Sequence, residues 1–148
     1  MASRMNNPSL VVPDALPPLL ELGKVINQVG VPVRTLDLVR MRVSQLNGRV
    51  WILPTGPAAA ARIDNRLPIV ASWREADCFT DAERAALALA EATTRLGDRA
   101  DPVPDEVWDE AVRHYTEPEL SALIMHVGLV NLWNCINLST RQDPGDWR

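Results

Sequence analysis

The sequence runs to 148 residues, with 47% apolar and 23% charged side chains and a formal net charge of -4. Such a composition excludes a largely disordered chain, and the length suffices for one domain, since a chain of this size buries roughly 70% of its unfolded surface. The fourteen arginines and the single Lys24 are scattered, so no basic stripe is available to neutralise phosphates and nucleic acid is not an expected partner.

Met1 to Leu10 carries Arg4 without an apolar stretch of signal-peptide length, and Pro13, Pro17 and Pro18 interrupt the next residues, which predicts a cytoplasmic protein. Asp14 to Val29 places Leu19, Leu22, Ile26 and Val29 on one helical stripe, with Gly30 and Pro32 as the stop. A second helix is predicted from Leu36 to Leu46, opened by Thr35, closed by Asn47 and Gly48, and striped with Leu36, Val39, Val43 and Leu46. The run from Arg49 to Pro57 holds two prolines and a glycine within four positions and reads as a loop or broken turn. Short helices are expected from Pro57 to Arg62 and from Leu67 to Ala76, the latter with Ile69, Val70 and Trp73 inward.

Thr80 and Glu83 stand at capping-box spacing ahead of a stripe of Ala85, Leu89, Ala92 and Leu96. Pro104 to Tyr115 is predicted to bury Val107, Trp108, Ala111, Val112 and Tyr115. A second capping box, Thr116 with Glu119, opens the last helix, Leu120 to Leu138, which is apolar almost all round and therefore central or shared between subunits. A membrane span is the competing reading of so apolar a helix, but His126, Asn131, Asn134 and Asn137 would each need a partner in lipid, so no membrane is expected. No stretch shows the alternation of a strand, and the expected fold class is all-α: one domain of six to seven helices with its core between about residues 14 and 141.

Cys78 and Cys135 lie 57 positions apart and read as free buried thiols. Together with His114 and His126 they match no metal-ligand spacing, so neither a metal nor another cofactor is implied. His126 reads as a core histidine, and the helical asparagines as ties between helix ends and the core, because an amide inside a helix is unfavourable unless it bonds something fixed. No nucleophile–base constellation stands out, and no catalytic residue is assigned.

Three blocks, DLVRMRVSQLNG from Asp37 to Gly48, SWREADCFTDAERAALALAEATTRL from Ser72 to Leu96, and VNLWNCINLS from Val130 to Ser139, closely resemble the alkylhydroperoxidase D-like branch of the carboxymuconolactone decarboxylase-like family. They fall in the family's order and cover most of the chain. The resemblance implies an antioxidant-family helical fold and, in active members, a Cys-x-x-Cys pair followed by a histidine directly after Asn-Gly. A thiolate is the nucleophile there, and a helix N-terminus lowers its pKa. Aligned from Asn47 and Gly48, the thiol positions hold Arg49 and Ile52 and the histidine position holds Gly56, so the resemblance comes without dithiol peroxidase chemistry. The family's proton-relay glutamate falls at Asp37, where a place in the first turn of its helix and Arg40 three residues on favour a structural role.

Three functions stay open. In the first, a non-redox oligomer binds a small anionic or apolar ligand, with Arg49 as the cation and Trp51 and Ile52 as apolar walls, or serves as a scaffold. The second is a non-thiol lyase or decarboxylase in which Asp37 is the acid or base and Arg49 clamps a carboxylate. The third is a silent subunit of an active paralogue. A homo-oligomer joined through the C-terminal helix is expected, and in the third function the same helix joins the paralogue; the sequence does not separate self-association from pairing with a relative.

Overall fold

A computed structural model describes residues 2–49 and 63–143. Among them the chain forms α1 (Pro8–Val11), α2 (Leu16–Asn27), α3 (Val33–Leu46), a 3-10 helix (Leu67–Ser72), α4 (Asp81–Thr94), α5 (Asp105–His114) and α6 (Glu117–Ser139), with no strand among the described residues. The loop and short helix expected across residues 50–62, and Trp51, Ile52 and Gly56 with them, lie outside the described residues.

Both capping boxes form. The Thr80 hydroxyl accepts the Glu83 amide while the Glu83 carboxylate accepts the Thr80 amide, and Thr116 and Glu119 repeat the arrangement at the start of α6. Each satisfies two amides that a helix start otherwise leaves unpaired. α3 differs from expectation. It begins at Val33 behind Pro32, so Thr35 is buried inside the helix and caps nothing. Pro32 supplies the extended backbone that precedes a helix without a side-chain oxygen to announce it. At its other end the chain leaves through Gly48 at φ +75°, the left-handed conformation that glycine adopts without strain.

α3, α4 and α6 pack on one another and α2 and α5 lie outside them. The main core joins Ile26, Leu36, Val39, Val43, Leu89, Leu123 and Val127, and a second cluster sets Leu38, Met41 and Leu87 against Leu67, Val70, Trp73 and Phe79. α6 has the length and composition of a membrane span, yet 39% of its apolar window is buried against the other helices of the bundle.

Several apolar residues expected inside face out. Leu22, Val29, Ile69, Trp108 and Val112 are exposed, and Leu96 lies beyond the end of α4 and is exposed as well. On each of these helices the apolar arc is wider than the strip its neighbours cover, so periodicity finds the face but overcounts its members. Both cysteines are also exposed, Cys78 in the turn before α4 and Cys135 on the outer side of α6. The expectation of buried thiols is therefore wrong.

Candidate functional site

Two groups of polar residues lie at opposite ends of α3. At its C-terminal end the Asn47 amide donates to Asn131 Oδ1 at 2.8 Å, and Asn131 donates in turn to the Val127 carbonyl and the Thr94 hydroxyl. This ties the ends of α3 and α4 to α6, the role expected of the helical asparagines. One turn on, Asn134 is 2% exposed, its Oδ1 accepts from the Ser44 hydroxyl at 3.5 Å, and its Nδ2 makes no hydrogen bond among the described residues. A buried amide donor left unpaired costs about 1–3 kcal/mol, which marks this place as suited to an acceptor oxygen.

Arg49 adjoins this group in sequence. Its backbone amide donates to the Ser44 carbonyl at 2.8 Å, its Nη2 donates to the Asp143 carbonyl at 3.5 Å, and the residue is 7% exposed. Burial pushes its guanidinium below the ordinary arginine value. A guanidinium this far from water is stabilised by any anion that reaches it.

The other group lies in the N-terminal half of α3. Asp37 is the fifth residue of the helix, outside the first turn, so the favourable helix-terminus interaction expected for it is absent. Burial raises its carboxyl above the ordinary value; Arg40 opposes the shift and Asp64 adds to it. Burial likewise lowers the Arg40 guanidinium, against the attraction of Asp37. From α6, His126 Nε2 meets the Leu36 carbonyl oxygen at 2.9 Å. A carbonyl only accepts, so Nε2 carries the proton and, in the neutral ring, Nδ1 carries the lone pair. Burial lowers the His126 pKa, the Leu36 bond works against that, and Arg40 adds to the lowering.

The helix separates the two groups. Nine residues of α3 at 1.5 Å each put Asp37 about 14 Å from the C-terminal end of the helix, and Arg49 lies beyond that end. Asp37 and Arg49, paired from the sequence as acid and clamp, are thus not neighbours, and the guanidinium next to Asp37 is that of Arg40.

The remaining buried charges are mutually satisfied. Arg66 bridges Asp64 and Glu83 at 2.7 Å each, and Glu91 accepts from Arg42, Trp73 Nε1 and Arg74 at 2.7, 2.9 and 2.8 Å. Burial pushes the Glu91 carboxyl up, but those three donors outweigh it and hold it below the ordinary value. Beside the Arg66 group lies a surface cavity of about 670 Å³ walled by Arg34, Arg66, Cys78, Tyr115 and Glu119, a place that sequence reasoning missed because its walls come from four separate stretches of the chain. Neither Asp37, His126 nor Arg49 lines it. No cluster of histidine, cysteine or carboxylate side chains suited to a metal occurs among the described residues.

No family model matches the chain. The uncharacterized protein YdfG of Bacillus subtilis is 26% identical over 132 residues, covering 87% of this chain and 88% of YdfG. Among solved structures, a protein of unknown function from Agrobacterium tumefaciens, named as a candidate antioxidant defence protein AhpD, superimposes with a TM-score of 0.80 at 21% identity. The match covers 97% of this chain and 99% of that one. With its helices in this order, the chain has the AhpD-like all-α fold.

Proposed function

We propose that this protein is a soluble, cytoplasmic member of the alkylhydroperoxidase D-like family that binds a small anion without dithiol redox chemistry, as a homo-oligomer joined through α6. The observation that carries the reading is the buried guanidinium of Arg49, which stands where the resemblance puts the first thiol; the Arg49 backbone amide donates to the carbonyl of Ser44, whose hydroxyl meets Asn134, the residue with the unpaired amide. Acceptor oxygens of an anion suit a buried guanidinium, and an unpaired amide donor favours an acceptor as well. The only two cysteines, Cys78 and Cys135, are 57 positions apart and cannot form a Cys-x-x-Cys site. Exposed Ile124, Met125, Leu132 and Leu138 on α6 support association through that helix.

Native mass spectrometry of the purified protein tests binding and assembly together. An oligomer with retained mass that Arg49→Ala releases is the expected result. A bare monomer, together with no thermal shift on titration with citrate, succinate or benzoate, contradicts the reading. A bare oligomer moves the weight to scaffolding or to a silent subunit. A peroxide assay with a dithiol donor should read at background, before and after Cys78→Ser.

A second reading, acid–base catalysis without thiols, is favoured by one observation: the Asp37 carboxyl is raised by burial although an arginine lies within charge range. Structural carboxylates in this protein move the other way.

A further inference from the structure

Among the described residues α6 leaves one face unpartnered. Ser121, Met125, Gly128, Leu132, Cys135 and Ser139 are all exposed, while the residues between them, Ile124 and Leu138 apart, are buried or half-buried against the bundle. The six follow one another at steps of four, three, four, three and four, the heptad spacing of a helix that pairs with another in a left-handed supercoil. From Leu120 to Thr140 the sequence has no aspartate, glutamate, lysine or arginine, and its one histidine is bonded to the Leu36 carbonyl. The face is uncharged from end to end.

Gly128 is its most informative member. A glycine inside a helix is less stable than alanine, and nothing in the protomer asks for one here. Its φ is not positive, and a methyl group at this position would meet no atom within 4 Å among the described residues. A missing side chain is of use here only to something that approaches from outside.

We infer that a second copy of this chain makes that approach, in an antiparallel pair of α6 helices about a two-fold axis beside residue 130; the inference rests on the reading of a homo-oligomer joined through α6. With the axis there, Leu132 of one copy faces Gly128 of the other and Met125 faces Cys135, so that each large side chain meets a small one on both sides of the axis. A parallel pair would set Leu132 against Leu132 and leave a void between the glycines. Charge selects the same direction. The acidic start of α6, with Glu117 and Glu119, comes beside the end of the other α6, where Arg4 donates to the Ser139 carbonyl at 3.2 Å, and the helix dipoles oppose each other. The face of α6 alone, about 35 Å long and roughly 10 Å wide, offers about 350 Å². A stable pair needs about 800 Å² from each partner. The remainder comes from α2, which packs on α6 with Gly23 close to Leu129, next to Met125 and Leu132 on the helix, and exposes Leu20, Leu22 and Val25.

Analytical ultracentrifugation of the full-length protein tests the pairing. The parent is expected to hold an even number of subunits. Gly128→Leu should halve that number with an unchanged circular dichroism spectrum, weakening association about 100-fold because the added side chain takes the place of the facing Leu132. In a Cys78→Ser background, Met125→Cys should give a covalent dimer when diamide takes two electrons and two protons from the new thiol and the facing Cys135. Cys135 alone should give none, since its two copies stand ten residues apart, about 15 Å along the helix and beyond the reach of a disulfide. An odd subunit count, an assembly that Gly128→Leu leaves intact, or a dimer bridged by Cys135 to itself overturns the inference and leaves oligomer formation standing. A monomeric parent overturns both, whether it stays free or floats with phosphatidylcholine vesicles as a membrane-facing helix would. Anion binding at Arg49 is read separately, from the mass that Arg49→Ala releases. Should Gly128→Leu not fold, the Met125→Cys cross-link decides.

Discussion

Glu91 and Asp37 are both acidic residues partly buried within the bundle, and their surroundings treat them in opposite ways. Glu91 holds three donors from the 3-10 helix region and α3, and ends up more acidic than a free carboxyl. Asp37 has a guanidinium within charge range and still ends up less acidic, because desolvation and Asp64 prevail. The contrast separates a carboxylate held by three donors that join helices from one whose desolvation outweighs a single nearby guanidinium. It also shows why proximity of an arginine in sequence is a poor guide to a carboxyl's state: the donors around Glu91 come from 17 to 49 residues away.

Four substitutions sharpen or break that contrast. Glu91→Ala should have the largest effect, destabilising by about 3 kcal/mol in urea unfolding, because Arg42 loses its buried partner and Trp73 Nε1 its acceptor. Glu83→Gln should cost about 1–2 kcal/mol, since it weakens the Arg66 bridge and the α4 cap together. Asp37→Asn should act in the reverse sense and stabilise the fold by roughly 0.5–1 kcal/mol at pH 7, because the neutral amide avoids the desolvation of the carboxylate. Cys78→Ser should stay within about 0.5 kcal/mol of the parent, the usual range for an exposed residue.

The pH dependence of the two carboxyls has opposite signs. Glu91 and Glu83 have folded values below 4.5, so their stabilisation is present above that pH and is lost as pH falls through the lowered values. Asp37 has a folded value above 3.8, so its unfavourable contribution is absent below pH 3.8 and develops as pH rises through the raised value. The gain from Asp37→Asn should therefore vanish in acid, where the loss from Glu91→Gln also fades. His126, lowered from 6.5, contributes stability that is full above that pH and is lost as pH falls through its lowered value.

What the sequence revealed depended on range. The capping boxes of Thr80 and Thr116 are local patterns three residues long and were legible, as was the all-α class. The start of α3 was not, because Pro32 caps it through backbone geometry and no side chain signals it. The exposure of Trp108 and Val112 was hidden for another reason, since a periodic stripe does not say how much of itself a neighbour will cover. Asp37 was found through its block of similar sequence, whereas Ser44, Asn47 and Asn134 became a site only when α3 met α6. The bond from His126 to Leu36 joins residues 90 apart and has no local signature.

The most direct test of the central contrast is a carbon-13 NMR titration of the side-chain carboxyls in the intact protein, assigned through Asp37→Asn and Glu91→Gln. The account predicts that Asp37 titrates above 3.8 while Glu91 titrates below 4.5 in the same spectrum. An Asp37 carboxyl that titrates below 3.8, alongside Glu91, would make it one more structural carboxylate and remove the contrast between the two.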